Sequence, residues 1–164
     1  MTALQGRYAD GELDMLVTRE PALLAADSAF VPLMEDECVI AARPGHPLAA
    51  RRRLRAVHLR DCAWVVPPMH SETYNAFENL FGANDLPASQ PLSAHSLSAV
   101  AHYVRESDAL MMAPHSFIRG SLDAHWLVRM HCVFQQRLPP LGLTHRLGSR
   151  NRGAAALQEY LMQS

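Results

Sequence analysis

The sequence predicts an α/β fold with a mainly parallel sheet, and three observations predict it. First, "AWVV" (63–66) and "ALMMA" (109–113) are short apolar runs without polar alternation, as expected of strands covered on both faces. Second, segments with helical periodicity follow them, so strands and helices alternate as in βαβ units. Third, a serine able to cap a helix stands near each junction: Ser71 in "PMHSET", Ser96 in "SAHSLS" and Ser116 in "APHSFI".

Each element has its own signal. "GELDMLVT" (11–18) places Leu13, Met15 and Val17 on one side of a strand, and "REPALLAADSA" connects it onward. "FVPLMEDECVIAAR" (30–43) is a long strand interrupted by acidic residues. The Pro, Gly and charge content of "PGHPLAARRRLRA" (44–56) predicts a loop, and "VHLRDC" a turn of helix before "AWVV". After Ser71, Tyr74, Phe77 and Phe81 fall at i, i+3 and i+7 of a helix. After Ser96, Leu97, Val100, Ala101 and Val104 form one stripe. "HWLVRM" and "LGLTHRL" are further strands, and Gly148-Ser149 opens a last helix carrying Ala154, Leu157 and Leu161. No internal repeat or low-complexity tract is present.

Composition narrows the class of function. The chain has 164 residues, 49% of them hydrophobic, enough for a real core in one medium domain or two small lobes. A formal net charge of −1 supplies no global basic field for nucleic acid and no acidic excess for disorder. All 15 basic residues are arginine, most simply the mark of a codon-biased genome. Cys38, Cys62 and Cys132 are odd in number and widely spaced, which fits reduced thiols in a cytosolic protein. No apolar stretch reaches the roughly 20 residues of a membrane span, and the N-terminus lacks a signal peptide, so a cytoplasmic protein is expected.

The three His-Ser pairs are the candidate chemistry. Ligands of open α/β sheets bind beyond the carboxyl ends of strands, where helix N-termini present free N–H groups that favour anions. A serine there acts first as a cap, while a histidine at a positive helix end should be neutral and serve as a hydrogen-bond partner. The candidate effector-binding residues are Pro67, Pro68, Met69, His70, Ser71, His95, Ser96, Pro114 and His115. Catalysis is not expected: adjacent Ser and His side chains diverge at a helix start, and there is no Gly-x-Ser-x-Gly elbow. The nine histidines show no metal-ligand spacing, so neither metal nor cofactor is expected. "ARRRLR" (50–55) could suggest phosphate contact, although such a cluster is most often a solvated loop tip.

Taken in order, "GELDMLVTREP", "FVPLMEDECVIAARPGHPLA", "VHLRDCAWVVPP", "SLSAVAHYVRESDALMMAPHSFI" and "RLPPLGLTHRLGSRNRGAAALQEYL" resemble the effector-binding domain of LysR-type transcriptional regulators over nearly the whole chain. The resemblance implies a type 2 periplasmic-binding-protein-like fold of two lobes, with the effector between them. Residues 31–135 would form the second lobe, and 1–30 with 136–164 an incomplete first lobe. The family's winged helix-turn-helix, its linker helix and the opening βαβ of its first lobe have no counterpart in these residues. The implied partners are a small organic, carboxylate or aromatic, effector, and DNA only through the missing domain; no membrane is involved. Strand edges left without partners predict a homo-oligomer. Two other readings compete: a solute-binding protein of the same fold, and a small Ser/His hydrolase.

Overall fold

The computed structural model describes residues 3–82, 85–87, 92–93, 96–148 and 151–163. These form two compact units, Met1–Asp36 with Pro139–Ser164, and Glu37–Leu138. The sequence expectation put the changeovers after residues 30 and 135. The first falls later because β2 (Ser28–Ala42) remains tied to its own unit through Asp36, whose buried carboxylate lies 2.7 Å from Arg19.

In the unit Glu37–Leu138, β5 (Leu110–Pro114) is the central strand. It pairs antiparallel with β2 in the register Cys38↔Pro114, Val39↔Ala113, Ile40↔Met112, and parallel with β3 (Trp64–Val66). β3 in turn pairs parallel with β4 (Leu92–Ser93). The sheet is therefore mixed rather than mainly parallel. Parallel pairs occur where helices connect successive strands, but β2 enters from the other unit and runs against them. β6 (Val128–Arg129) also pairs antiparallel with β2. "HWLVRM" supplies only these two strand residues, because the Trp126 N–H donates to Ser121 O and His125 adopts φ +57°, closing a turn.

Alternation along the strands divides the core. Cys38, Ile40, Leu110 and Met112 face a layer containing Trp64, Phe77 and Phe81, with ring centroids 5.1–5.6 Å apart. Val39, Ala41, Met111 and Ala113 face Val100, Val104 and Ile118. Burial on both faces is why these strands are apolar at every position. The first layer carries α2 (Ala56–Leu59) and α3 (Glu72–Phe81), and the Trp64 indole N–H donates to Leu59 O at 3.0 Å. The second carries α4 (Leu97–Arg105) and α5 (His115–Asp123).

In the other unit, β1 (Met15–Arg19) pairs antiparallel with β7 (Gln136–Arg146) from Met15↔His145 to Arg19↔Leu141. The sequence did not announce α1 (Ala3–Ala9), whose Gly6 weakens its intrinsic propensity. It is held instead by tertiary contacts: the Tyr8 hydroxyl bonds to Ser28 Oγ at 2.9 Å, and Arg146 stacks on the Tyr8 ring and donates to Tyr8 O. The last helix is α6 (Arg152–Gln163); the expected start at Ser149 lies outside the described residues.

Gly142 on β7 marks the closest strand approach. A Cβ there would sit 2.4 Å from Val31 O and 2.3 Å from the Phe30 ring. Because a backbone carbonyl cannot swing aside, Gly142→Ala should destabilise the chain by about 1–3 kcal/mol. Thermal or urea melts test this, and an unchanged midpoint would contradict the close packing of β7 on β2.

Candidate functional site

At the carboxyl ends of β3 and β5, inside the unit Glu37–Leu138, lies a concavity of about 240 Å³. Val65, Val66, Pro67 and Pro68 form one wall, and Met112, Ala113 and Pro114 another. Leu97 and Val100 of α4 and Phe117 of α5 close the apolar side. Ser71 and Thr73, at the start of α3, contribute the hydroxyl groups. None of the lining side chains is charged.

Local chemistry builds each part. Val66 ends β3, and Pro67-Pro68 cannot extend the strand with N–H donors. The chain turns through His70 at φ +63°, and the Ser71 N–H donates to Pro68 O at 3.2 Å. Ser71 then caps α3, its Oγ accepting the Tyr74 N–H at 3.0 Å. This leaves the Ser71 hydroxyl proton available to a ligand, beside helix-start N–H groups that lack intrahelical acceptors.

Of the nine residues expected from sequence, Pro67, Pro68, Ser71 and Pro114 line the concavity. Met69 and His70 do not: the left-handed turn at His70 leaves both exposed. Ser96 caps α4, accepting the Ala99 N–H at 3.4 Å, but is exposed and outside the lining. His95 lies outside the described residues. The third His-Ser junction is built differently from the expectation. Pro114, with φ −59°, leads directly into α5, so His115 takes the first helical position and Ser116 the second. The half-buried His115 is not part of the lining either. The described histidines thus do not converge on this concavity. A proline at the end of β5 starts the helix one residue too early for that.

Sequence reasoning missed Thr73, Leu97, Val100 and Phe117, and it read Val65, Val66, Met112 and Ala113 only as buried strand residues. Leu97 and Val100 belong to the apolar stripe of α4 and were indistinguishable from core. Phe117 is 58% exposed, a property of the folded chain that no sequence pattern announces.

The arrangement suits binding rather than covalent chemistry. The Ser71 Oγ faces a backbone N–H instead of an imidazole base. Burial raises the Cys62 thiol above its ordinary value, with Asp61 adding to it, and burial likewise raises Cys132. Neither is an activated thiolate at neutral pH. Among the described residues no cluster of three or more His, Cys, Asp or Glu could hold a metal ion, and no helix is long and apolar enough to cross a membrane.

The family described as the LysR substrate binding domain matches residues 1–164. The chain is 27% identical over 148 residues to the HTH-type transcriptional regulator GalR of Pseudomonas putida, covering 88% of this chain and 37% of that protein. It is 26% identical over 140 residues to the HTH-type transcriptional regulator CysL of Bacillus subtilis, covering 74% and 47%. The chain therefore spans less than half the length of these curated relatives, which are regulators rather than enzymes. Among solved structures, the regulatory domain of CcmR from Synechocystis PCC6803, in complex with 2-PG, superposes with a TM-score of 0.76 at 20% identity. That match covers 98% of this chain and 77% of the other.

The raised thiols set a pH dependence. For Cys62 and Cys132 the folded state favours the neutral form, so this stabilisation is complete below the ordinary value of 9.0 and is lost as pH rises through and beyond it. The melting midpoint should fall more steeply above pH 9 in the wild type than in a Cys62→Ala/Cys132→Ala variant. Iodoacetamide should label both thiols slowly at neutral pH until urea unfolds the chain. Fast labelling of the folded protein would mean that these cysteines are reactive after all.

Proposed function

The chain belongs to the LysR substrate-binding domain family, and on that premise we propose that the concavity at the ends of β3 and β5 receives the effector. The domain is a small-molecule sensor with a type 2 periplasmic-binding-protein-like α/β fold. One observation carries the assignment of the site: an uncharged apolar hollow opens onto the hydroxyls of Ser71 and Thr73 at the amino end of the ten-residue α3. Such a hollow fits a compact organic molecule whose body packs on Val66, Pro114 and Phe117. A carboxylate on that molecule would accept from the hydroxyls and helix-start N–H groups.

The wider role follows from the relatives. The effector alters a LysR-type regulator that reads DNA through a separate helix-turn-helix domain and works as a homo-oligomer in the cytoplasm, without catalysis by this domain. The solute-binding alternative has the same fold but no support among the curated relatives, and at Ser71 the hydroxyl accepts from a backbone N–H, which does not favour the Ser/His hydrolase.

Two serine caps make the test internally controlled. Ser71→Ala and Ser96→Ala each remove a cap, and each should lower stability by about 1 kcal/mol. Only Ser71 lines the hollow. In calorimetric titrations with an effector found by a thermal-shift screen of small carboxylates, Ser71→Ala should weaken binding roughly tenfold or more, while Ser96→Ala leaves it unchanged. Equal losses in both variants, or none in either, would remove the hollow as the effector site.

A further inference from the structure

A second, larger cavity of about 700 Å³ opens on the same unit and shares no lining residue with the first. Its wall is the Cys38–Ile40 stretch of β2 and the segment from Arg129 to Gln135. Its floor is apolar, with Ile40 and Met130 buried and Phe134 half-buried. Arg52, Arg53, Arg129 and His131 also line it, and no carboxylate does.

Three observations give these groups a purpose beyond solvation. Arg129 is neutralised in part by Glu37 at 2.7 Å, whereas the guanidinium groups of Arg52 and Arg53 have no partner among the described residues. Arg53 is held at φ +58°, a left-handed conformation that is unfavourable for a non-glycine residue. The neighbouring backbone fixes it there: the Leu54 N–H donates to His131 O and the Val133 N–H to Leu54 O, both at 2.8 Å, around a fully buried Leu54. The loop's positive charge is also felt by its neighbours. His58 is held below its ordinary value by desolvation and then by Arg51 and Arg55, and no acidic residue occurs between positions 38 and 60.

We propose that this cavity is an anion-binding site separate from the effector hollow, taking a small molecule whose phosphate or carboxylate head meets Arg52 and Arg53 and whose apolar body lies on Ile40, Met130 and Phe134. A planar guanidinium suits either head group through paired N–H donors. The concave apolar floor favours a small molecule over the phosphodiester backbone of a duplex, which offers no apolar body to fill it. The cavity volume falls in the range of small-molecule sites, about 300–1,000 Å³.

The test is titration calorimetry on the chain with inorganic phosphate, citrate and benzoate, each at low and at physiological salt. Binding of at least one probe is expected, weaker at higher salt, with amide resonances of residues 52–54 and 129–134 shifting. An Arg52→Gln/Arg53→Gly variant should bind about tenfold or more weakly. Glycine relieves the φ strain at position 53, so the variant should melt no lower than the wild type and lost binding cannot be ascribed to unfolding. Ser71→Ala should bind these probes like the wild type at this site, so failure of the effector reading and failure of this one are separable. The proposal is overturned if none of the three binds at millimolar concentration, or if the arginine variant binds as well as the wild type. It is also overturned if only a DNA duplex binds in an arginine-dependent way.

Discussion

Five residues, Leu110–Pro114, are fully committed on every side. Their backbone is bonded to β2 on one edge and to β3 on the other, and all five are buried. Leu110 and Met112 enter one core layer while Met111 and Ala113 enter the other. A slip of one residue would exchange the layers and drive methionines into the space shaped for leucine and alanine. With the register closed to slippage, Pro114 must stand opposite Cys38, and α5 must begin at His115. The hollow at the ends of β3 and β5 lies where it does because this strand cannot end anywhere else.

The helix opposite obeys a similar constraint. Trp64 is wedged edge-on between Phe77 and Phe81, which fixes the face that α3 turns toward the sheet. The Ser71 cap then fixes where α3 starts, and so where its free N–H groups open. Packing sets the orientation of the helix and capping sets its first residue, and the two together aim the polar side of the hollow. Removing the cap alone leaves the aromatic wedge in place, which is why a cap deletion is a local perturbation of the site.

How much of this was legible in the sequence follows from which forces act locally. β3, β5, α3 and α4 were readable because unbroken apolar runs and Ser caps are signals carried by neighbouring residues. The antiparallel entry of β2 was not readable, since strand direction within a sheet depends on where the chain goes after leaving it. The His-Ser junctions looked alike in sequence, yet Pro114 starts its helix at once while Pro68 leads into a left-handed turn at His70. Identical dipeptides therefore acquired different positions. Much of the hollow was equally invisible, because residues such as Leu97 and Val100 serve the core and the hollow with the same apolar side chains. α1 was missed for the opposite reason: its stability comes from Ser28 and Arg146, far along the chain.

The two cavities of the unit Glu37–Leu138 present different chemistry. Met112, Ala113 and Pro114 line the hollow, and their register partners Ile40, Val39 and Cys38 line the arginine cavity. The same stretch of paired backbone is therefore a wall of both. On the hollow side no lining side chain is charged, so the proposed site would select by shape, apolar contact and a few fixed hydroxyl and N–H donors, forces that salt barely touches. On the other side stand the exposed Arg52 and Arg53, whose guanidinium groups have no partner among the described residues and whose attraction is long-ranged and screened within about 8–10 Å at physiological ionic strength.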